Sequence, residues 1–201
     1  MSPLIWISIV AIFGLMAATM LAGTYNSFVR LKNQCNNAFA QIEVQLKRRY
    51  DLIPNLVECV KGYMTHEREC LVQVISARDQ AAASLREAAE QPQDPTALQK
   101  WLGAEGALAG ALGKLSVVME NYPDLKANAA VADLTEQLTS TENRIAYARQ
   151  SYNDWATGFN EYRETFPVCL VAGMLGFGHN RRLIEFADRE QIASPPTVAL
   201  V

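Results

Sequence analysis

Apolar and polar positions follow one another along this chain with the spacing of long helices. Over residues 21–81, mostly apolar side chains recur at alternating steps of four and three. Two further runs with the same spacing cover residues 98–122 and 127–166. This spacing places one face of each helix against its neighbours. The sequence therefore predicts an all-α protein built from long, lengthwise-packed helices.

Glycine and proline residues divide these runs. Gly62 is typical of a helix end, and Thr65 of the next helix start. Proline removes a helical hydrogen bond, so we expect a kink or short break at Pro54. The apolar spacing keeps its phase through Pro54 and Gly62, which leaves one long kinked helix as an alternative. An antiparallel up-and-down four-helix bundle is preferred because it encloses a compact core. Its helices are expected at residues 25–61, 66–90, 95–121 and 124–165.

The apolar character is most concentrated at the start of the chain. Residues 4–23 carry no charge and include Leu4, Trp6, Ile9, Phe13 and Leu21. A helix of this length spans roughly 30 Å, the thickness of the bilayer hydrocarbon. No basic residue precedes the run, so an uncleaved single-pass anchor is favoured over a signal peptide. The expected organisation is a short N-terminus at 1–3, the anchor at 4–23, the bundle at 24–187 and a flexible tail at 188–201.

Charge places the expected bundle on one side of the membrane and excludes one class of partner. Arg30 and Lys32 follow the anchor, which predicts a short N-terminus outside and a bundle in the cytoplasm at the inner membrane. The net charge is −3, whereas nucleic-acid binding needs a clustered basic surface. The four cysteines have no close-pair spacing, so they are interpreted as small, reduced core residues.

Charged residues interrupt the apolar seam. A buried charge needs a partner, so we expect interhelical ion pairs or, as the functional alternative, a polar groove for a partner's tail or a small ligand. Lys32, Arg49, Glu67 and Glu105 occupy seam positions. Their candidate partners include Asp51, Arg78, Glu142 and Arg149.

Two further segments are candidate binding surfaces. Gly103, Gly106, Gly110 and Gly113 repeat on the third helix, where glycine weakens the helix. The series is explained either by close packing inside the bundle or by a self-association face. The uncharged segment 166–178, with Phe166, Leu170, Leu175 and Phe177, is too short to span a membrane. It caps the bundle, dips into the bilayer surface or docks on another subunit.

The sequence offers no catalytic set and implies no cofactor. His66 and Cys70 have the i, i+4 spacing of two zinc ligands with Glu67 between them, but a third converging ligand is lacking. Glu67 and Glu69 are better explained as acidic residues near a helix start. Facing Glu-x-x-His pairs, which di-iron bundles require, are not found.

Several phrases resemble the LemA family, in order and over nearly the whole chain. They are KRRYDLIPNLV at 47–57, ENYPDLKA at 120–127 and ENRIAYARQSYN at 142–153. The resemblance implies a bacterial protein with one N-terminal membrane helix and a four-helix bundle. It implies no established enzymatic activity, and it points weakly to a membrane metalloprotease as a neighbour in envelope quality control.

The expected function is therefore binding at the membrane. The favoured hypothesis is a scaffold or adaptor that presents helix faces to other envelope proteins and forms a homo-oligomer. The alternative is a lipid- or peptide-binding accessory module of a membrane protease.

Overall fold

A computed structural model describes residues 3–64, 66–90, 94–126 and 128–185 of the chain, without the side chains of Ile5 and Lys126. The expected helix start at Thr65, the loop residues 91–93 and the tail at 188–201 lie outside the described residues. Within them the fold is helical with no strand, which confirms the all-α class. The helices are α1 (Pro3–Lys61), α2 (Arg68–Glu90), α3 (Pro95–Glu120), α4 (Pro123–Lys126), α5 (Ala129–Glu164) and α6 (Val168–Val171).

The helix ends follow the local signals in the sequence. α1 continues through Pro54 without a break and ends at Lys61, where the Tyr63 and Met64 N–H groups donate to the Val60 carbonyl. The preferred organisation, with a helix end at Gly62, is therefore the observed one, and the alternative of one long kinked helix is wrong. Asp94 caps α3 by accepting from the Thr96 N–H at 2.9 Å.

The fourth expected helix is divided into α4 and α5. Asn128 lies just before α5, and its Oδ1 accepts from the Ala130 N–H at 2.9 Å. An asparagine side chain that bonds the backbone two residues ahead starts a new helix, so the turn after Pro123 is separate.

The chain divides into two compact units, and the division falls inside α1 and α5. Unit 1 comprises Met1–Phe39 with Ser151–Leu183, and unit 2 comprises Ala40–Gln150 with Ile184–Val201. Each unit has its own buried apolar side chains.

Among its described residues, unit 2 holds four long helical segments, from α1, α2, α3 and α5, in antiparallel order, and the short α4. Lys100 Nζ of α3 lies 2.5 Å from Glu87 Oε2 of α2, next to the loop that joins these helices. The Asn128 amide, just before α5, donates to the hydroxyl of Tyr63, just after the end of α1, at 3.2 Å. Its core includes Ile42, Leu46, Ile53, Val74, Trp101, Leu108, Leu115 and Ile145, which are at most 4% exposed.

Unit 1 pairs the first part of α1 with the last part of α5, also antiparallel. The Phe28 ring lies 5.0 Å from the Tyr162 ring, and the Phe39 ring lies 5.9 Å from the Tyr152 ring. The segment after α5 turns and runs back, so that Phe177 stacks on Phe28 at 4.5 Å.

Within the described part of the chain, two helices, α1 and α3, are long and apolar enough to cross a membrane. The most apolar stretch of α1 is 6% buried and that of α3 is 17% buried. α3 buries Trp101 and Glu105 in unit 2, whereas residues 6–23 of α1 are exposed throughout. The N-terminal part of α1 is therefore the candidate span.

Candidate functional site

Buried charge in unit 2 is centred on Arg49 of α1, which lies between two carboxylates. Its guanidinium donates to Glu105 of α3 and, at 2.8 Å, to Oε1 of Glu142 of α5. The Tyr50 hydroxyl donates to the second oxygen of Glu105. The side chains of Arg49 and Glu105 are 6% and 2% exposed, and that of Glu142 is 48% exposed. One polar cluster thus joins three helices.

Burial and neighbouring charges shift the pKa values of Arg49 and Tyr50. Burial by itself lowers the pKa of Arg49, but the carboxylates of Glu105 and Glu142 outweigh it and raise the pKa above its usual value. Burial and then the charge of Glu105 raise the pKa of the Tyr50 phenol. Proton transfer needs a group whose pKa lies near the working pH. The shifts of Arg49 and Tyr50 move away from neutrality, so the cluster suits a structural link.

Arg78 of α2 completes the hydrogen bonding of α1 at the proline. Pro54 has no N–H, so the carbonyl four residues earlier, that of Tyr50, loses its helical donor. The Arg78 Nε–H donates to this carbonyl at 2.9 Å. The same guanidinium lies 2.7 Å from Asp79 and 3.9 Å from Asp51. An interhelical contact therefore replaces the missing helical one.

The other residues of the expected seam differ in burial. Lys32 is exposed on α1 in unit 1, where Leu31 is partly buried between Phe28 and Cys35. Glu67 is partly buried just before α2, and Arg149 is partly buried on α5. The structure therefore assembles Arg49, Glu105 and Glu142, and separately Arg78 and Asp51.

The glycine series of α3 faces away from the core of unit 2. All four positions are exposed, and an added Cβ at any of them would meet no atom within 4 Å. Val117, one turn beyond Gly113, is also exposed. Close packing inside unit 2 therefore does not explain these glycines, and a self-association face stays a prediction.

The uncharged segment 166–178 in unit 1 is divided between buried and exposed side chains. Phe177 is partly buried and packs against Phe28 and Phe159, and Leu175 is partly buried as well. Phe166 and Leu170 are 77% and 68% exposed. Sequence reasoning did not single out Met174, which is 87% exposed beside them.

The sequence also gave no role to Asn160, which holds the returning chain of unit 1. Its amide donates to the Arg181 carbonyl at 2.9 Å and accepts from the Arg181 N–H at 2.7 Å. The buried Arg181 guanidinium lies over the Phe159 ring and 3.4 Å from Asn36. The charge of Arg181 alone gives no hint of this reciprocal contact, so the sequence did not predict it.

The cysteines differ from the expected set of four core residues. Cys35 is buried, Cys59 and Cys70 are partly buried, and Cys169 is exposed. Burial raises the pKa of the Cys35 thiol. Among the described residues, no group of three or more His, Cys, Asp or Glu side chains could hold a metal ion.

An open, mostly apolar groove of unit 2 runs between α1 and α2 and has a volume of about 820 Å³. Its floor contains Val57, Leu71 and Ile75, and its ends carry charges of both signs. An apolar groove with a polar rim suits a peptide or a lipid chain.

Comparison with known proteins gives a family and several relatives. The sequence model of the LemA family matches residues 38–199. The match begins after the apolar stretch of α1 and includes the whole polar cluster. The family resemblance found in the sequence is thereby confirmed.

The relatives are bacterial proteins. The magnetosome protein MamQ 1 of Paramagnetospirillum magneticum is 25% identical over 85% of this chain and 68% of its own length. The magnetosome protein MamQ of Magnetospirillum gryphiswaldense is 25% identical over 90% of this chain and 70% of its own length. Protein LemA of Metamycoplasma hominis is 25% identical over 85% of this chain and 73% of its own length. These names state no enzymatic activity.

Proposed function

Because this chain belongs to the LemA family, we propose that it is a membrane-anchored helical scaffold that acts by binding other proteins of the bacterial envelope. The observation that carries the proposal is the continuity of α1. One helix of 59 residues contains both the exposed apolar stretch and Arg49, which joins three helices of unit 2. A chain built in this way holds helix surfaces at a membrane.

The apolar stretch of α1 serves as the anchor. Its side chains, such as Phe13 at 62% exposure, are not covered by the residues that the structure describes. Lipid is the environment that accepts about 20 uncharged residues in one helix. The basic residues Arg30 and Lys32 follow the stretch and are exposed, so the bundle is assigned to the cytoplasmic side of the inner membrane.

The outer face of α3 serves as the contact between copies of this chain. It combines exposed glycines at 103, 106, 110 and 113 with exposed Val117. Small side chains let two helix backbones approach closely. The same helix is tied to unit 2 by Glu105 on its opposite face, so association would leave the polar cluster intact.

The first test is purification of the full-length protein from native membranes in mild detergent, with mass determination and identification of co-purifying proteins. A stoichiometric second protein or a defined homo-oligomer supports a scaffold. A monomer that retains no protein partner contradicts it.

The matched variants are Gly106→Leu with Gly110→Leu, and Gly14→Leu as the control. All three positions have open space around the added side chain, but Gly14 lies in the apolar stretch of α1. Loss of the homo-oligomer in the α3 variant alone assigns the contact to this face. An unchanged oligomer removes α3 from the proposal.

A second candidate function is favoured by the groove between α1 and α2. Its volume of about 820 Å³ and its apolar floor suit a lipid chain or an extended peptide, as in an accessory module of a membrane protease. Retained apolar ligand, detected by native mass spectrometry, would favour this candidate. The replacement Ile75→Glu in the groove floor should then release the ligand, whereas Val44→Glu on an exposed surface should not.

A further inference from the structure

We infer that the segment 166–176 is a second membrane contact, which inserts into the lipid surface beside the anchor of the same unit. The inference rests on the proposed anchoring of α1 and assigns a partner, the bilayer interface, to three exposed apolar side chains. These are Phe166, Leu170 and Met174.

The level of this segment, meaning its position along the axis of α1, follows from the register of α1 and α5 within unit 1. Phe39 lies against Tyr152, and eleven residues earlier Phe28 lies against Tyr162. The two helices are antiparallel, so each residue further along α5 is about 1.5 Å nearer the N-terminal end of α1. Phe166, four residues after Tyr162, therefore lies level with residues 24–25, just beyond the end of the apolar stretch at Gly23.

The returning chain confirms this level independently. The Phe177 ring lies 6.0 Å from Tyr25 and is stacked on Phe28. The turn from 166 to 176 thus begins and ends at the exit of the candidate span. A bilayer that surrounds residues 4–23 has its interface at this turn.

The chemistry of the turn fits the lipid interface. Residues 166–178 contain no charged side chain. Among the exposed side chains, Phe166, Leu170 and Met174 would leave water on insertion, which is favourable for apolar surface. Cys169 is exposed in the same turn and adds no formal charge as a thiol.

The backbone hydrogen bonds of the turn also suit an apolar environment. Unpaired N–H groups are costly in lipid. Within the turn, the N–H groups of 169, 170, 172, 175, 176 and 177 donate to carbonyls of residues 165–173. Gly176 has φ +85°, which only glycine adopts without strain, and it closes this internally bonded turn.

Polar and basic side chains follow both the anchor and the turn along the chain. Arg30 is exposed seven residues beyond Gly23, about 10 Å along the helix. His179 and Arg182 are exposed on the returning chain. The nearby Glu164 carboxylate accepts from the Asn180 amide at 2.9 Å and lies 3.8 Å from Arg163, which offsets its charge.

The experiment measures the depth of a spin label at Cys169 in the full chain. Cys59 and Cys70 are replaced by serine, and Cys35 is kept because it is fully buried. The protein is reconstituted into vesicles of phosphatidylethanolamine and phosphatidylglycerol. Collision of the label with oxygen, which dissolves in lipid, is compared with collision with a water-soluble nickel chelate. We expect the oxygen-to-nickel ratio at Cys169 to exceed that of an aqueous control several-fold.

Two labels in a Cys169→Ser background serve as references. A label at Asp154→Cys, on the exposed surface of α5 farther from the span, is the aqueous control. A label at Phe13→Cys reports on the anchor. An aqueous oxygen-to-nickel ratio at Cys169 together with a lipid ratio at Phe13→Cys overturns the inference but leaves the proposed anchor supported. Low collision with both reagents at Cys169 also overturns it, since the turn would then lie against protein. Aqueous readings at both positions overturn the anchor and the inference together.

If the cysteine replacements unfold the protein, a second measurement uses the native cysteines. Brominated lipids quench a tryptophan in contact with acyl chains, and Met174→Trp adds one on an exposed side chain. Additional quenching relative to the parent chain supports insertion. Unchanged quenching contradicts it.

Discussion

Arg49 is a buried charged residue whose ion pairs link three helices, so that its removal leaves a buried carboxylate unpaired. Its replacement by methionine leaves Glu105 buried without its cationic partner. We expect the free energy of unfolding, measured with urea in mild detergent, to fall by about 3–5 kcal/mol. The control is Lys61→Ala, because Lys61 and Glu58 are exposed and such pairs contribute at most about 1 kcal/mol.

The double variant Arg49→Met with Glu105→Gln separates charge from shape. It removes the unpaired charge and keeps an oxygen for the Tyr50 hydroxyl. It should recover a substantial part of the lost stability, as for a coupled pair. If the two losses simply add, Arg49 and Glu105 do not act as a buried pair.

Tyr50 is expected to lower the free energy of unfolding of the protein at alkaline pH. Burial and Glu105 raise its folded-state pKa above the unfolded value of about 10, so the unfolded chain loses this proton first. The contribution of Tyr50 is present below about pH 10 and declines at higher pH, by about 1.4 kcal/mol per pH unit. Tyr50→Phe should be less stable at about pH 8, and its deficit should shrink above about pH 10. Urea titrations at a series of pH values measure the difference, and a constant deficit would contradict the assignment.

At the scale of elements, Pro54 makes α1 depend on α2. Arg78→Met removes the donor to the Tyr50 carbonyl, and an unpaired buried carbonyl costs about 1–3 kcal/mol. Pro54→Ala restores an N–H four residues after Tyr50. The cost of Arg78→Met in urea unfolding should therefore be smaller in the Pro54→Ala background. Equal costs in both backgrounds would show that the contact to Tyr50 is not the reason for Arg78.

At the same scale, the glycines of α3 lead to a prediction about the stability of the dissociated, monomeric protein. An added methyl group meets no atom at Gly106 or Gly110, and alanine favours a helix over glycine. Each Gly→Ala change should raise the free energy of unfolding of dilute, dissociated protein by about 0.5–1 kcal/mol. A loss of stability under these conditions would mean that the glycines are packed within the chain.

The sequence predicted helices well and side-chain partners poorly. Helix ends at Lys61, Glu90 and Pro95 agree with the expected ones because Gly62 and the prolines act locally. Lys32 was expected in the same buried seam as Arg49 but is exposed, since the apolar face of α1 passes through Leu31. Apolar residues spaced by three and four predict which face of a helix is buried. They do not fix each position, because a drift of the buried face by one residue changes a side chain from buried to exposed.

At the scale of the whole molecule, membrane orientation follows from few charges. A green fluorescent protein fused after Val201 should fluoresce in cells, and alkaline phosphatase fused there should be inactive, because the bundle is assigned to the cytoplasm. The variant with Arg30→Gln, Lys32→Gln and added N-terminal lysines should reverse part of the population. Active phosphatase on the natural sequence would contradict the assigned orientation.

The hydrogen bond from Arg78 to the Tyr50 carbonyl also sets an order of events during translation. The two residues are separated by 28 positions. At about 5–20 residues per second, roughly one to six seconds pass between their syntheses. During this interval water must supply the donor to the carbonyl, and the nascent helix is incomplete at the proline. The apolar N-terminal stretch is made before either residue, so membrane targeting can precede closure of the bundle.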